Sequence, residues 1–355
     1  MTRDSAGETY ALHVVTEEGG GAELHLVRFS PSGDQRWDRI VDRAEWYDFG
    51  FNQRALVVSG GAVFIGGTRP DGLFVLKLDA EAGPLWSYSE PGRTSAIGVS
   101  AGGEVVVVNW EWVGASSTVV RLDASGKSQS RWRIDNALSA AFSPDGGLVV
   151  GGRVSDPPPT EGPLAGAAGN EGFLLKLDAS GKTLWRELLS GSSSRVWSVD
   201  TSAKGTVVGG VSLGNGSFQW AGQSYSHQSG PGNDATAVVI VAEASGAHRW
   251  SEQDHSLRSA TVDVSPEGQL GLLKGWEHCS AISRWELTGD KVFSKLLGEC
   301  DPHSNEVSAE TVYVDPTHTL VGGGFAGKQS FGDAPPMGSN SQPTRGFIRT
   351  FVHSR

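Results

Sequence analysis

Aromatic and polar side chains occur together at several places in the sequence, in a combination suited to binding a glycan or a peptide. They lie in EWYDF (Trp46, Tyr47), NWEW (Asn109, Trp110, Glu111, Trp112), SRVWS (Trp197) and GWEHC (Trp276, His278). A flat ring covers an apolar face of a ligand while a nearby carboxylate or amide fixes its orientation. The same rings can instead pack inside the fold, because large aromatic side chains are highly buried on average.

A second group of side chains carries metal-ligand or acid–base chemistry. It consists of His255, His278, Cys279, Cys300, Asp301 and His303. Because the sequence has no C-x-x-C or H-x-x-x-H pair, we assign no metal site and no cofactor, and keep the three histidines as candidates for ligand binding. Cys279 and Cys300 could form a disulfide, worth about 3 kcal/mol in the chain-entropy model, or remain two free thiols.

A phrase repeated along the chain indicates the elements that position these residues. It reads FSPSGDQRW, KLDAEAGPLW, RLDASGKSQSRW, KLDASGKTLW, AEASGAHRW and WELTGDKVF, and ends at Trp37, Trp86, Trp132, Trp185, Trp250 and Phe293. The repeats are about 50 residues apart, which is the size of a propeller blade. Small residues and valines before each phrase suit inner strands, and the terminal Trp suits a wide outer strand that wedges between blades.

A Gly- or Pro-Asp-containing turn precedes each valine-rich strand, as in SPDGG and SPEGQ, and seven such turns occur. Each unit reads as four short strands. The sequence therefore predicts an all-β chain forming a single β-propeller of seven blades, each with four antiparallel strands. The predicted blades are residues 1–43, 44–92, 93–135, 136–190, 191–254, 255–298 and 299–355.

The D-A-S-G-K-x-x-W phrase resembles the tryptophan-docking repeat of bacterial PQQ-like propellers and of related exported propeller repeats. The residues that carry the resemblance are Asp79, Asp123 and Asp178 with Trp86, Trp132 and Trp185, whereas Phe293 replaces the Trp in the sixth unit. The resemblance covers almost the whole chain and implies the fold and little else. The family includes quinone-dependent dehydrogenases, which use a vicinal disulfide and a calcium site. This sequence has no adjacent cysteines, so we do not expect that activity.

Charge and hydropathy exclude two classes of partner. The 355-residue chain has 40 acidic and 29 basic residues, a formal charge of −11, and no basic cluster, so nucleic acid is not expected to bind. No apolar stretch approaches the roughly 20 residues that span a bilayer, so no transmembrane segment is predicted. We expect a monomer, in the periplasm, at the cell surface or secreted if an upstream signal has been removed.

Long inserts rich in Pro, Gly and Ser separate the second and third strands of three units, at residues 155–172, 212–235 and 326–345. They read as irregular loops or short extra hairpins on the face that also carries the connectors between blades, where function is expected. The first hypothesis is a noncatalytic binding or scaffolding propeller that recognises a protein segment or a glycan there. The second is an enzyme, such as a hydrolase, lyase or lactonase, with carboxylates and histidines in the central funnel.

Overall fold

The computed structural model describes residues 1–16, 20–49, 55–110, 116–191, 193–227, 236–254, 259–276, 279–297, 307–325 and 345–352. All regular secondary structure in these residues is β-strand, and the predicted all-β propeller fold is confirmed, built from repeated four-stranded antiparallel sheets. The chain divides into two compact units, Met1–Phe142 and Ser143–Arg355, which we call unit 1 and unit 2.

Unit 1 contains three antiparallel sheets in which the strands follow one another in chain order. The first contains β1 (Thr2–Arg3), β2 (Thr9–Thr16), β3 (Ala22–Phe29) and β4 (Gln35–Ala44). The second contains β5 (Leu56–Ser59), β6 (Ala62–Arg69), β7 (Gly72–Asp79) and β8 (Pro84–Glu90). The third contains β9 (Arg93–Val99), β10 (Val105–Trp110), β11 (Ser116–Leu122) and β12 (Ser128–Asp135), and β13 (Ala137–Phe142) ends the unit.

Unit 2 repeats this plan with one addition. Its first sheet contains β14 (Leu148–Arg153), β15 (Gly172–Leu177) and β16 (Thr183–Gly191), extended at β16 by a hairpin of β19 (Ser217–Trp220) and β20 (Gln223–Ser226). The next contains β17 (Ser194–Thr201), β18 (Val207–Leu213), β21 (Thr236–Ala242) and β22 (His248–Asp254). Then come β23 (Ser259–Val264), β24 (Gln269–Trp276), β25 (Cys279–Glu286) and β26 (Lys291–Leu297), and finally β27 (Val307–Val314), β28 (His318–Phe325) and β29 (Arg345–Val352).

The Gly-Gly pairs on the second strands allow neighbouring sheets to pack closely. A Cβ added at Gly66 of β6 would lie 2.3 Å from Cγ2 of Ile97 on β9, the inner strand of the next sheet. A Cβ at Gly210 of β18 would lie 2.2 Å from the carbonyl oxygen of Ala260 on β23. Glycine is therefore required where the backbone of one sheet meets the next, and valines fill the remaining buried positions.

A turn closed by an aspartate joins the third and fourth strands. The carboxylate of Asp123 accepts hydrogen bonds from the amides of Ser125 and Lys127, at 2.9 and 3.0 Å. The hydroxyl of Ser125 also donates to it, and these hydrogen bonds lower the pKa of Asp123 to about 2. The DASGK phrase is thus a self-capped turn in which one side chain satisfies several backbone donors.

Three outer-strand tryptophans bond to the corresponding turn of the following sheet. The indole Nε1 of Trp86 donates to the carbonyl oxygen of Ala124 at 2.9 Å, and Trp185 donates to Ala244 at the same distance. Trp250 makes the equivalent bond to Leu287 at 2.8 Å. Each bond crosses from one sheet to the next within a unit, so these residues stabilise the packing of neighbouring sheets.

Candidate binding surface at the connector edges

In each sheet the strands end on two sides. On one of these sides the chain passes from the fourth strand to the following sheet, and the inserts leave the second strand. We call this the connector edge. In unit 1, residues 45–49 cross it between β4 and β5, and the backbone of Asp48 pairs with that of Thr68 through bonds of 2.9 and 2.7 Å. This pairing fixes the direction of the two aromatic candidates before it, because neighbouring residues of an extended chain point to opposite sides.

Trp46 and Tyr47 accordingly have different surroundings. The side chain of Trp46 is 39% exposed. The ring of Tyr47 stacks on Phe49, with 6.2 Å between centroids, and meets Phe74 edge-on at 6.0 Å. Burial, and then the charge of Asp42, raise the pKa of the Tyr47 phenol. Trp46 is available to a ligand, whereas Tyr47 packs into the sheet as a neutral phenol.

Asn109 and Trp110 end β10 at the same edge. Asn109 is only 3% exposed, and its side-chain amide donates to Oε1 of Glu90 at 2.9 Å and to the carbonyl oxygen of Pro91 at 3.0 Å. Trp110 is partly exposed and pairs across the sheet with Arg93. Nη1 of Arg93 lies 3.2 Å from Oδ2 of Asp48. Asn109 therefore holds the edge in place, and Trp110 lies beside an ion pair.

Glu90 is the centre of a fixed polar network in unit 1. Its Oε2 accepts the phenol of Tyr88 at 2.7 Å and Nη1 of Arg131 at 2.6 Å, while Oε1 accepts Asn109. Burial and the bond to Glu90 raise the pKa of Tyr88 to about 12. Because both carboxylate oxygens are engaged, this network stabilises the edge and is not arranged as a free acid or base.

In unit 2 the candidate Trp197 lies on a β-bulge. The pairing of β17 with β18 passes from Val196–Val211 directly to Ser198–Gly210, so Trp197 is the extra residue. Bulges re-aim side chains and are over-represented next to binding and active sites. The guanidinium of Arg195 lies over the Trp197 ring, 5.5 Å from its centroid, and both side chains are partly exposed.

A second arginine, Arg153, lies close to Arg195. Arg153 ends β14 opposite Gly172, and a Cβ on Gly172 would lie 3.4 Å from the amide nitrogen of Arg195. Burial, and then the charge of Arg153, lower the pKa of Arg195. Among the described residues, Nε of Arg153 is buried with no hydrogen-bond partner. The Arg195 guanidinium thus lies over the Trp197 ring and close enough to Arg153 to be affected by its charge.

The insert at 155–172 uses its own polar groups to hold this arrangement. Asn170 accepts a hydrogen bond from Nη2 of Arg153 and donates to Oδ2 of Asp156 at 3.1 Å. The two carboxylate oxygens of Glu171 accept the amides of Ala168 and Gly191, at 3.1 and 3.3 Å. The nearby acidic groups therefore serve the loop. Neither arginine was a candidate from the sequence, although each lies in a recognisable segment, GGR at the end of β14 and SRVW on β17.

Most of the remaining candidates lie outside the described residues. They are Glu111, Trp112, His255, His278, Cys300 and His303. The backbones of Trp276 and Cys279 pair with each other where β24 turns into β25. The enzymatic hypothesis rests on Glu111 and the three histidines, so it stays a prediction, as does the disulfide between Cys279 and Cys300.

Comparison with known proteins supports the fold and not a function. No protein-family model matches the chain, and no curated protein matches it. A hydrazine synthase structure from Kuenenia stuttgartiensis is 12% identical, with 80% of this chain and 78% of that chain covered and a TM-score of 0.50. The Dos1 propeller is 11% identical, with 86% and 77% covered and a TM-score of 0.49. TolB from Acinetobacter baumannii is 11% identical, with 80% and 62% covered and a TM-score of 0.43.

At this level of identity such likeness concerns the fold alone. No helix in the described part of the chain is long and apolar enough to cross a membrane.

Proposed function

We propose that this chain is a noncatalytic binding or scaffolding propeller that recognises an acidic protein segment at the connector edge of unit 2. The observation that carries the proposal is the position of Trp197, the extra residue of a bulge, under Arg195, which itself lies close to Arg153. We call these three residues the Trp197 surface.

The chemistry of the Trp197 surface fits a peptide that carries carboxylates. A guanidinium presents a rigid fork of donors that matches a carboxylate, and an indole covers apolar or backbone surface beside it. Tryptophan and arginine are also the residues most enriched among those that dominate binding energy at protein interfaces. In a chain with a formal charge of −11, a local pair of arginines selects acidic segments where most of the surface repels them.

We infer a seven-bladed propeller of the tryptophan-docking type, with blades close to those predicted from the sequence. The bonds from Trp86, Trp185 and Trp250 to turns of the following sheets support this assignment.

The test is a binding selection from a random 12-residue peptide library, followed by affinity measurement on synthetic peptides. We expect the selected peptides to be enriched in Asp and Glu. Trp197→Ala should weaken their binding at least about tenfold, as expected for an anchor residue worth more than 1.4 kcal/mol. Arg195→Lys keeps the charge but loses the fork, so it should also weaken binding.

Trp46→Ala is the matched control, because it removes an exposed tryptophan from the connector edge of unit 1. Selected peptides without excess acidic residues, or equal loss of affinity in both tryptophan variants, would refute the proposal. A parallel glycan array covers the other ligand class. Binding of a neutral glycan that depends on Trp197 but not on Arg195 would replace the acidic peptide with a carbohydrate.

A further inference from the structure

Two histidines and an aspartate come together on the first sheet of unit 1. His13 of β2 lies directly opposite His25 of β3, and their rings stack with 4.8 Å between centroids. Oδ1 of Asp38, on β4, lies 2.7 Å from Nδ1 of His25. One ligand atom from each of the three side chains lies within 4.8 Å of the others. Three adjacent strands thus direct two imidazoles and a carboxylate to one point.

This set of donors suits a divalent transition metal. Imidazole nitrogens bind Zn²⁺ at about 2.0–2.1 Å and carboxylate oxygens at about 2.0–2.2 Å, and three protein ligands leave a coordination position open. Ligand atoms around such an ion are closer together than 4.8 Å, so the side chains must rotate slightly. His13 and Asp38 are exposed and can do so, whereas the His25 side chain is mostly buried and fixes the position.

The surrounding residues hold His25 in the orientation of a metal ligand. Nε2 of His25 lies 3.3 Å from Oε2 of Glu23, two residues earlier on the same strand. Glu23 is in turn held by Arg43, whose Nε and Nη2 lie 2.9 and 2.8 Å from its Oε1. A carboxylate that accepts the second N–H of an imidazole fixes its orientation and raises its basicity, as is usual around protein metal sites.

We propose that His13, His25 and Asp38 bind one divalent transition-metal ion, with Zn²⁺ as the probe, and that Glu23 positions His25 for it. The site is independent of the Trp197 surface and involves none of the histidines that sequence analysis selected. No short-range His or Cys pair marks this site in the sequence. His13 and His25 are instead brought together by the hairpin whose turn contains Gly20 and Gly21.

Protons compete with the metal at this site. Burial lowers the pKa of His25, but hydrogen bonds to Asp38 and Glu23 outweigh it and raise the pKa overall. Burial lowers the pKa of His13; the charge of Asp38 opposes this effect, and the charge of His25 adds to it. Only a neutral imidazole can coordinate a metal ion, so protonation of either histidine competes with binding.

Calorimetric titration of the untagged full chain with Zn²⁺ tests the proposal, with Co²⁺ absorption as a second readout of coordination. We expect one ion per chain and d–d bands typical of four- or five-coordinate Co²⁺. His13→Ala and Asp38→Asn should remove binding, and Glu23→Gln should weaken it by about 10- to 100-fold, the usual effect of losing an orienting partner. Circular dichroism of each variant verifies folding.

His303→Ala is the control, because it removes a histidine of the alternative group identified from the sequence. It should leave the stoichiometry and affinity unchanged. Loss of Zn²⁺ binding in His303→Ala with retention in His13→Ala would move the site to the other histidines and overturn the proposal. Absence of stoichiometric binding by the natural chain at neutral pH would also overturn it.

Discussion

The indole ring of Trp86 lies against Gly126 of the following sheet and donates its Nε1–H to the carbonyl oxygen two residues before that glycine. A Cβ added at Gly126 would lie 2.7 Å from Cδ2 of Trp86, closer than real Cβ atoms approach. Gly126 also has φ of +85°, in the left-handed region. The turn therefore requires glycine both for its backbone conformation and for the approach of the ring.

Gly126→Ala should be clearly more destabilising than an equivalent change in an unpacked turn. Gly33 takes the same place in its turn, with φ of +91°, and a Cβ there meets nothing within 4 Å. Gly33→Ala should lower the free energy of unfolding by about 1–2 kcal/mol, the cost of the left-handed conformation. Gly126→Ala should cost about 1–3 kcal/mol more, as overpacking does. Urea unfolding of both variants gives the difference, and equal losses would show that Trp86 does not pack against this turn in solution.

Ala82→Gly should stabilise the protein. Ala82 has φ of 61° at the place where the other turns have glycine. This turn also lacks the tryptophan bond that Trp86 makes to Ala124. The indole nitrogen of Trp37 is buried and has no hydrogen-bond partner among the described residues, and Nη1 of Arg28 donates to the carbonyl oxygen of Ala80 at 3.4 Å. Removing the Cβ relieves strain, with an expected gain of about 0.5–1 kcal/mol after the greater chain entropy of glycine is subtracted.

The control for this prediction is Ala80→Gly in the same turn, where φ is not positive. It should be neutral or destabilising, because glycine there only increases the entropy of the unfolded chain. A change in thermal midpoint of the same sign for both variants would contradict the assignment of strain to Ala82.

Asp145 should make stability depend on pH in the acidic range. Burial raises its pKa, but hydrogen bonds from Ser143 and Lys176 outweigh this and lower the pKa to about 2. Nζ of Lys176 lies 2.9 Å from Oδ1 of Asp145, and Lys176 is almost completely buried. Because the folded pKa lies below the unfolded value of about 3.9, the stabilisation is present above that value and is lost as the pH falls toward 2.

Asp145→Asn should therefore flatten the dependence of unfolding free energy on pH between about pH 5 and pH 2. At neutral pH it should lower stability by about 1 kcal/mol, a modest figure because the Asp145 side chain is 58% exposed. Lys176→Met tests the pair from the other side, since it removes the buried charge along with its partner interaction. It should flatten the same range with little loss at pH 7, and an unchanged acid profile in both variants would rule out the pair as its source.

The sequence predicts those parts of the fold that depend on local contacts. The DASGK turn is closed by Asp123 alone, and Gly66 and Gly210 each contact the neighbouring sheet. Because such local contacts recur along the chain, the repeats in the sequence predict them. The burial of Asn109 and the opposition of His13 to His25 depend on strand register. Register is fixed by the whole pattern of core residues and not by a short motif. The Trp197 surface was predicted only in part. Its tryptophan was a candidate from the sequence, but its bulge and its two arginines depend on tertiary packing.

The insert at 212–235 shows this limit most clearly, because its composition allowed either an irregular loop or an extra hairpin. It forms the hairpin β19–β20, which pairs with the end of β16 through Ser190–Gln219 and Gly191–Phe218. Phe218 is fully buried, and its ring stacks on Tyr225 with 4.7 Å between centroids. The hairpin is thus a folded part of unit 2 with its own apolar contacts.

Phe218→Ala should lower the free energy of unfolding by about 3–5 kcal/mol if the hairpin unfolds together with the sheet, as for a large side chain removed from a core. Gln219→Ala, the exposed neighbour, should change it by less than about 0.5 kcal/mol. Hydrogen exchange distinguishes global from local effects, because a hairpin that opens by itself loses amide protection only at β19 and β20. A loss below about 1 kcal/mol in Phe218→Ala, with those amides unprotected in the natural chain, would make the insert a loop in solution.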